Sequence, residues 1–214
     1  MCIRFALLLG AALALGAPAA WCIPSPSLDD GSDSSAPQAG PSAQDSAAYA
    51  EALALMKKAD GLEAQDAAAH DAYASARARL QALTARSPQF AEAWNALGYT
   101  QRRLGAYDDA LAAYGRALEL KPGYPEALEY RGEAYLRLNR IPEAKRAYLD
   151  LFAKNRTIAA TLLEAMQTWL KVQQGAHGVD AAVLTDLRQW VQERARIATQ
   201  TAALTRAGEA ASWR

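Results

Sequence analysis

Two cysteines and two histidines are all that the 214 residues hold of the types that staple domains, ligate zinc or relay protons at neutral pH. Cys2 falls in the first apolar run, which leaves Cys22 as a single thiol beyond it. One thiol cannot cross-link a domain, so the fold must stand on apolar burial. His70 and His177 are far apart, and His177 sits in the loop-like stretch Gly175-Ala176-His177-Gly178. No HExxH, CxxC or histidine pair has metal-ligand spacing, and neither a GxSxG elbow nor a phosphate-cradling glycine loop occurs. Charge of one sign is also missing: 23 basic residues face 23 acidic ones. The basic excess that accompanies phosphate binding is therefore absent, which excludes nucleic acid as an expected partner. Asp108 and Asp109 open a predicted helix, where they complement its dipole, and no acid–base partner is near them. The expectation is a chain with no catalytic residue, no metal and no cofactor.

What is present falls into parts. Arg4 precedes the uncharged run Phe5 to Ala17, and Ala17-Pro18-Ala19 supplies the small-x-small pattern of a signal-peptidase site. Residues 1–19 read as an export signal. The alternative is an uncleaved membrane anchor through residues 5–23, a run just long enough to span, although Pro18 interrupts it. A lipid on Cys22 fits less well, because the bulky Trp21 directly precedes it. Residues 20–45 continue into Pro, Ser, Gly and Asp with hardly an apolar side chain, the composition of a disordered linker.

From Ser46 onward helix-favouring Ala, Leu, Arg, Glu and Gln prevail, and apolar residues recur at helical spacing. Sliding the chain on itself by 34 positions aligns Ala76, Ala110 and Ala144. The same shift aligns Leu80, Tyr114 and Tyr148; Tyr73, Tyr107 and Ile141; Leu83, Ala117 and Leu151. Pro88 falls on Pro122, Gly98 on Gly132 and Leu104 on Leu138. Gly98 and Ala110 are expected where two helices cross, with Trp94, Leu97, Tyr107 and Tyr114 filling the space around the crossing. Gly105 and Asn139 stand one period apart at predicted helix ends, where a left-handed residue is needed.

This period, with Trp94-x2-Leu97-Gly98, Ala110-x3-Tyr114 and Pro122, resembles the tetratricopeptide repeat. Gln101 stands where that pattern carries Tyr. The following unit keeps Gly132, Tyr135, Ala144 and Tyr148 but has Leu128, Arg131 and Arg156 at other pattern positions. The preceding unit keeps its second half, with an insertion at about Gly61 to Asp71. The resemblance implies an all-α solenoid of antiparallel helix hairpins, with units at 46–90, 91–124 and 125–158. Beyond it, Leu162, Leu163, Met166, Trp169 and Leu170 form one apolar stripe. Val183, Leu187, Trp190, Val191 and Ile197 form another, behind a cap at Asp180. Residues 159–204 are expected to be a helix pair closing the stack, followed by a flexible tail at 205–214.

By the same resemblance, first helices line a concave groove that binds a protein or peptide. The groove residues would be Glu92, Asn95, Tyr99, Arg102 and Arg103, then Glu126, Glu129, Tyr130, Glu133 and Arg137. Tyr99 and Arg102 are the anchors favoured by residue type. Relatives that grip chaperone tails place Lys, Asn and Arg on successive first helices. Here the corresponding residues are Asn95, Tyr99, Tyr130, Ala160 and Glu164, so that clamp is not expected. The chain looks like a small exported tetratricopeptide protein of a Gram-negative envelope, a periplasmic scaffold. The alternatives are a self-associating assembly factor, using the last helix or Trp213, and a cell-wall enzyme with a site near His177 or the insertion.

Overall fold

The computed structural model describes residues 40–63, 66–174 and 178–212; the expected signal, most of the expected linker, His177 and Trp213 lie outside them. The described residues form eight helices and no strand: α1 (Ala43–Asp60), α2 (Ala67–Arg86), α3 (Ala91–Arg103), α4 (Tyr107–Leu120), α5 (Pro125–Arg137), α6 (Ile141–Lys154), α7 (Arg156–Gln173) and α8 (Ala181–Ser212). None of these helices is long and apolar enough to cross a membrane.

Local chemistry fixes the ends. Asp66, Asn155 and Asp180 each offer a side-chain oxygen to a free N–H of the first turn, on Ala68 at 2.8 Å, Ile158 at 3.1 Å and Ala182 at 2.7 Å. Gly105 and Asn139 adopt the expected left-handed conformation, with φ of 79° and 58°. In both places the next N–H reaches back five residues, Ala106 to Gln101 at 2.9 Å and Arg140 to Tyr135 at 2.8 Å. This Schellman closure satisfies carbonyls that α3 and α5 would otherwise leave open.

Three boundaries differ from the sequence reading. Helix α1 begins at Ala43, within the stretch expected to be linker. Ser42 caps it, accepting from the Asp45 N–H at 3.1 Å. Asp45 is only 6% exposed, and its carboxylate accepts from Ser87 Oγ at 2.7 Å, Ser42 Oγ at 2.8 Å and Arg86 Nε at 2.8 Å. Composition marks this residue as tether; in space it clasps the start of α1 to the end of α2. The expected insertion narrows as well, since α1 runs to Asp60 and α2 resumes at Ala67. Helix α8 continues to Ser212, beyond the expected end near residue 204.

Consecutive helices pack as hairpins, α1 with α2, α3 with α4, α5 with α6 and α7 with α8, and each hairpin packs on the next. The residues aligned by the 34-residue shift form the core: Ala76, Ala110 and Ala144, and with them Leu80, Tyr114 and Tyr148, are at most 1% exposed. Gly98 is small for the expected reason, since the Tyr114 ring fills the space where its side chain would be. The apolar stripe of α7 is buried throughout. Two aromatic residues depart from expectation. Trp94 is half-buried and its indole N–H donates to the Pro88 carbonyl at 2.9 Å, while Tyr107 is half-buried and turned toward Arg137. On α8, Val183 is exposed and the neighbouring Leu184 packs inward instead.

First helices approach one another closely across units, α1 with α3, α3 with α5 and α5 with α7, whereas the second helices α6 and α8 meet through side chains, Tyr148 on Trp190 and Lys145 on Asp186. A stack whose first helices converge is curved toward them, so they line its concave side.

Candidate functional site

All ten sequence-predicted groove residues lie on α3 and α5. The structure sorts them into three groups along the groove. At its centre, Asp60 at the end of α1 gathers three donors. Its Oδ1 accepts from the Tyr73 hydroxyl, from the Tyr99 hydroxyl at 2.6 Å and from Arg103 at 2.7 Å. The Arg103 guanidinium also lies 4.8 Å from the centre of the Tyr73 ring. Burial raises the Tyr99 hydroxyl pKa, and the bond to Asp60 raises it further, so both tyrosines act here as neutral donors.

Beside this cluster Arg102 crosses from α3 to α5. It is ion-paired with Glu133, and its guanidinium stands 5.3 Å from the centres of both the Tyr99 and the Tyr130 ring. The two rings meet edge to face at 5.2 Å. Burial opposes the Arg102 charge, but Glu133 and the neighbouring tyrosines hold its pKa above the ordinary value. Burial likewise pushes the Tyr130 hydroxyl up to about 12. Tyr99 and Arg102 are thus held in place by partners on neighbouring helices.

Toward the N-terminal ends of the same helices the groove is acidic. Glu92 pairs with Lys121 at 3.1 Å. Glu126 is half-buried, and Asn95 and Glu129 are each 8% exposed. Burial, reinforced by Glu133, pushes the Glu129 carboxyl up to about 7.

Toward the C-terminal ends the groove opens into a cleft of about 500 Å3. It is lined by Arg102, Arg103, Tyr107, Glu133, Leu136 and Arg137 from α3, α4 and α5, and by Ala165, Thr168, Trp169 and Val172 from α7. Arg137 is exposed, and its Nε donates to the Tyr107 hydroxyl at 3.1 Å. Among the described residues no carboxylate pairs with it. Val172 is 63% exposed and stands beside the buried Trp169. The sequence reading missed Asp60, Tyr107, Trp169 and Val172. Counting 34 positions from Tyr130 reaches Glu164, yet Glu164 and Ala160 border a different hollow, with Tyr148 and Phe152. The groove face of α7 is turned by about one residue from that count. An i, i+3, i+4 reading from Ala165 to Val172 would have found it.

His70 is exposed and lies 3.8 Å from Asp71, away from the groove residues in the hydrogen-bond network. Among the described residues no group of three His, Cys, Asp or Glu side chains is arranged to hold a metal ion.

Comparison with known proteins bears on the hairpin at the centre of this groove. Residues 91–124, which contain α3 and α4, match the family model of the tetratricopeptide repeat. The chain is similar to the tetratricopeptide repeat domain-containing protein PYG7, chloroplastic, of Arabidopsis thaliana, with 31% identity over 91 residues. Those residues are 42% of this chain and 30% of that protein, so the shared region is under a third of the relative's length. The family match covers the α3–α4 hairpin, and the helix pairs stacked on either side of it share its antiparallel hairpin architecture.

Proposed function

We propose that this chain is a non-catalytic scaffold that holds a segment of another protein along its concave groove. One observation carries the reading: the cleft between α5 and α7 pairs an exposed arginine that has no carboxylate partner, Arg137, with an exposed apolar residue, Val172, over a buried tryptophan. Isolated surface valines are ordinary, but an apolar edge beside an uncommitted cation in a concavity suits a peptide that brings an acidic and an apolar group together. Aromatic and arginine side chains recur along the rest of the groove, the types that anchor interfaces. The reading of residues 1–19 as an export signal adds a cell-envelope location, the periplasm of a Gram-negative host, as part of the proposal.

The test is a pull-down from envelope extract with the wild type and with Arg137→Glu and Val172→Asp. Both substitutions are on exposed side chains and leave the half-buried Tyr99 and Arg102 in place. Loss of the captured partner in both variants is expected. Equal capture by all three proteins would show that the cleft is not the binding surface.

A further inference from the structure

The acidic half of the groove holds a carboxylate with nothing to pair with. Glu129 on α5 stands one 34-residue period after Asn95 on α3, so the two occupy equivalent places on first helices that touch. Each is 8% exposed. The Asn95 Oδ1 is buried and accepts no hydrogen bond. No hydrogen bond or ion pair within the described residues reaches the Glu129 carboxylate either. The Glu129 oxygens, unlike Asn95 Oδ1, are not fully enclosed, so this unpaired carboxylate opens on the groove, where its removal from most of the solvent makes it costly to leave bare.

The cations nearby are already engaged. Arg102 is paired with Glu133, and Lys121 with Glu92. The charged and titratable groups that act on Glu129 are Glu126, Glu133 and Tyr130 on its own helix and Arg102 from α3. With Arg102 offset by Glu133, the net field at this end of the groove is negative. This end of the groove therefore offers a carboxylate in a negative field, with the cations nearby taken up by other carboxylates.

We propose that Glu129 is the seat for a basic group of the bound segment, a lysine ammonium or an arginine guanidinium. This rests on the peptide-binding reading above and adds polarity to it. A segment would lay its basic residue on the Glu129 end and its acidic and apolar residues on the Arg137 and Val172 end. In the empty groove a proton does the work of the missing cation, since burial holds the carboxyl up to about 7. A basic ligand must displace that proton in the acid range. Its affinity therefore falls as pH drops below about 7 and levels off above it.

The probe is a set of immobilised, acetylated and amidated heptapeptide mixtures with arginine fixed at one position, beside a matched set with citrulline there. Citrulline keeps the shape and removes the charge. At about pH 8 the wild type should retain the arginine set roughly 10-fold better, a preference that shrinks at about pH 6. Glu129→Gln, checked by circular dichroism to be folded, should retain both sets alike at either pH. A preference that survives in Glu129→Gln, or equal retention of both sets by the wild type, overturns the seat. If the equally retained peptides are lost in Arg137→Glu, the groove still binds peptides and only the seat falls. If the wild type retains neither set, the seat and the peptide reading fall together.

Discussion

The ring of Tyr114 lies so close to Gly98 that a side-chain carbon added there would stand 2.6 Å from its Cε1. Tyr114 is fully buried between α3, α4 and α5 and has no free space to retreat into. Gly98→Ala should therefore destabilise the protein by about 1–3 kcal/mol, the usual cost of overpacking a tight core. Gly115 lies inside α4 with no atom within 4 Å of an added side chain. There alanine meets no obstacle, and Gly115→Ala should stabilise by about 0.5–1 kcal/mol through helix propensity. Urea unfolding of the two variants should move the midpoint in opposite directions.

Asp45 gives a pH-dependent clasp. Hydrogen bonds from Ser87, Ser42 and Arg86 lower its pKa from 3.8 to about 2. A lowered folded-state pKa means that its contribution is complete above the unfolded value and is lost as pH falls through the folded one. Asp45→Asn should lower the melting temperature near neutral pH, and the gap from the wild type should close between about pH 4 and pH 2. A gap that persists at the acid end would mean that the side chain's shape, not its charge, ties α1 to α2.

Glu129 runs the opposite way. Its pKa is raised from 4.5 to about 7 by burial and by Glu133. The folded state then binds the proton more tightly than the unfolded chain, so stability declines as pH rises from about 4.5 through 7. Glu129→Gln cannot ionise and escapes that decline. Above pH 7 it should be more stable than the wild type by about 1–3 kcal/mol, the range for a buried unsatisfied polar group, and nearly equal to it at acid pH. Thermal melts at acid and alkaline pH compare the two.

How far the sequence revealed these features depended on whether the physics was periodic. Ala76, Ala110 and Ala144 were legible because every unit repeats the same close helix crossing, and Gly105 and Asn139 because both hairpins close alike. The ten candidate groove positions on α3 and α5 come from the family resemblance, which names places on a helix. Their environments do not follow from it, because a glutamate on a helix gives no local sign of being buried, and Glu129 is set apart by burial and by the charges around it on α3 and α5. Asp45 was hidden by its setting among Ser, Pro and Gly, since its partners Arg86 and Ser87 are one hairpin away. Trp169 and Val172 lie beyond the last clear repeat. There α7 keeps the packing of a first helix against α5, while its register departs from the 34-residue count.

Arg102 tests whether the centre of the groove is held by charge or by packing. It is paired with Glu133, with side chains 15% and 24% exposed, and its guanidinium lies against the Tyr99 and Tyr130 rings. Arg102→Met keeps much of the stem that covers those rings but removes the cation that pairs with Glu133 and acts on Glu129. Removing a single partner from a largely buried pair costs more than removing both, because the bare charge stays behind. Arg102→Met should therefore cost about 1–3 kcal/mol, less than a fully buried pair because of the residual exposure, and Glu133→Gln added to it should recover a large part of that loss. A double-mutant cycle read by denaturant unfolding separates the two cases. Strict additivity would assign Arg102 to the rings, where the flat guanidinium contributes by stacking, and would leave Glu133 a solvated neighbour.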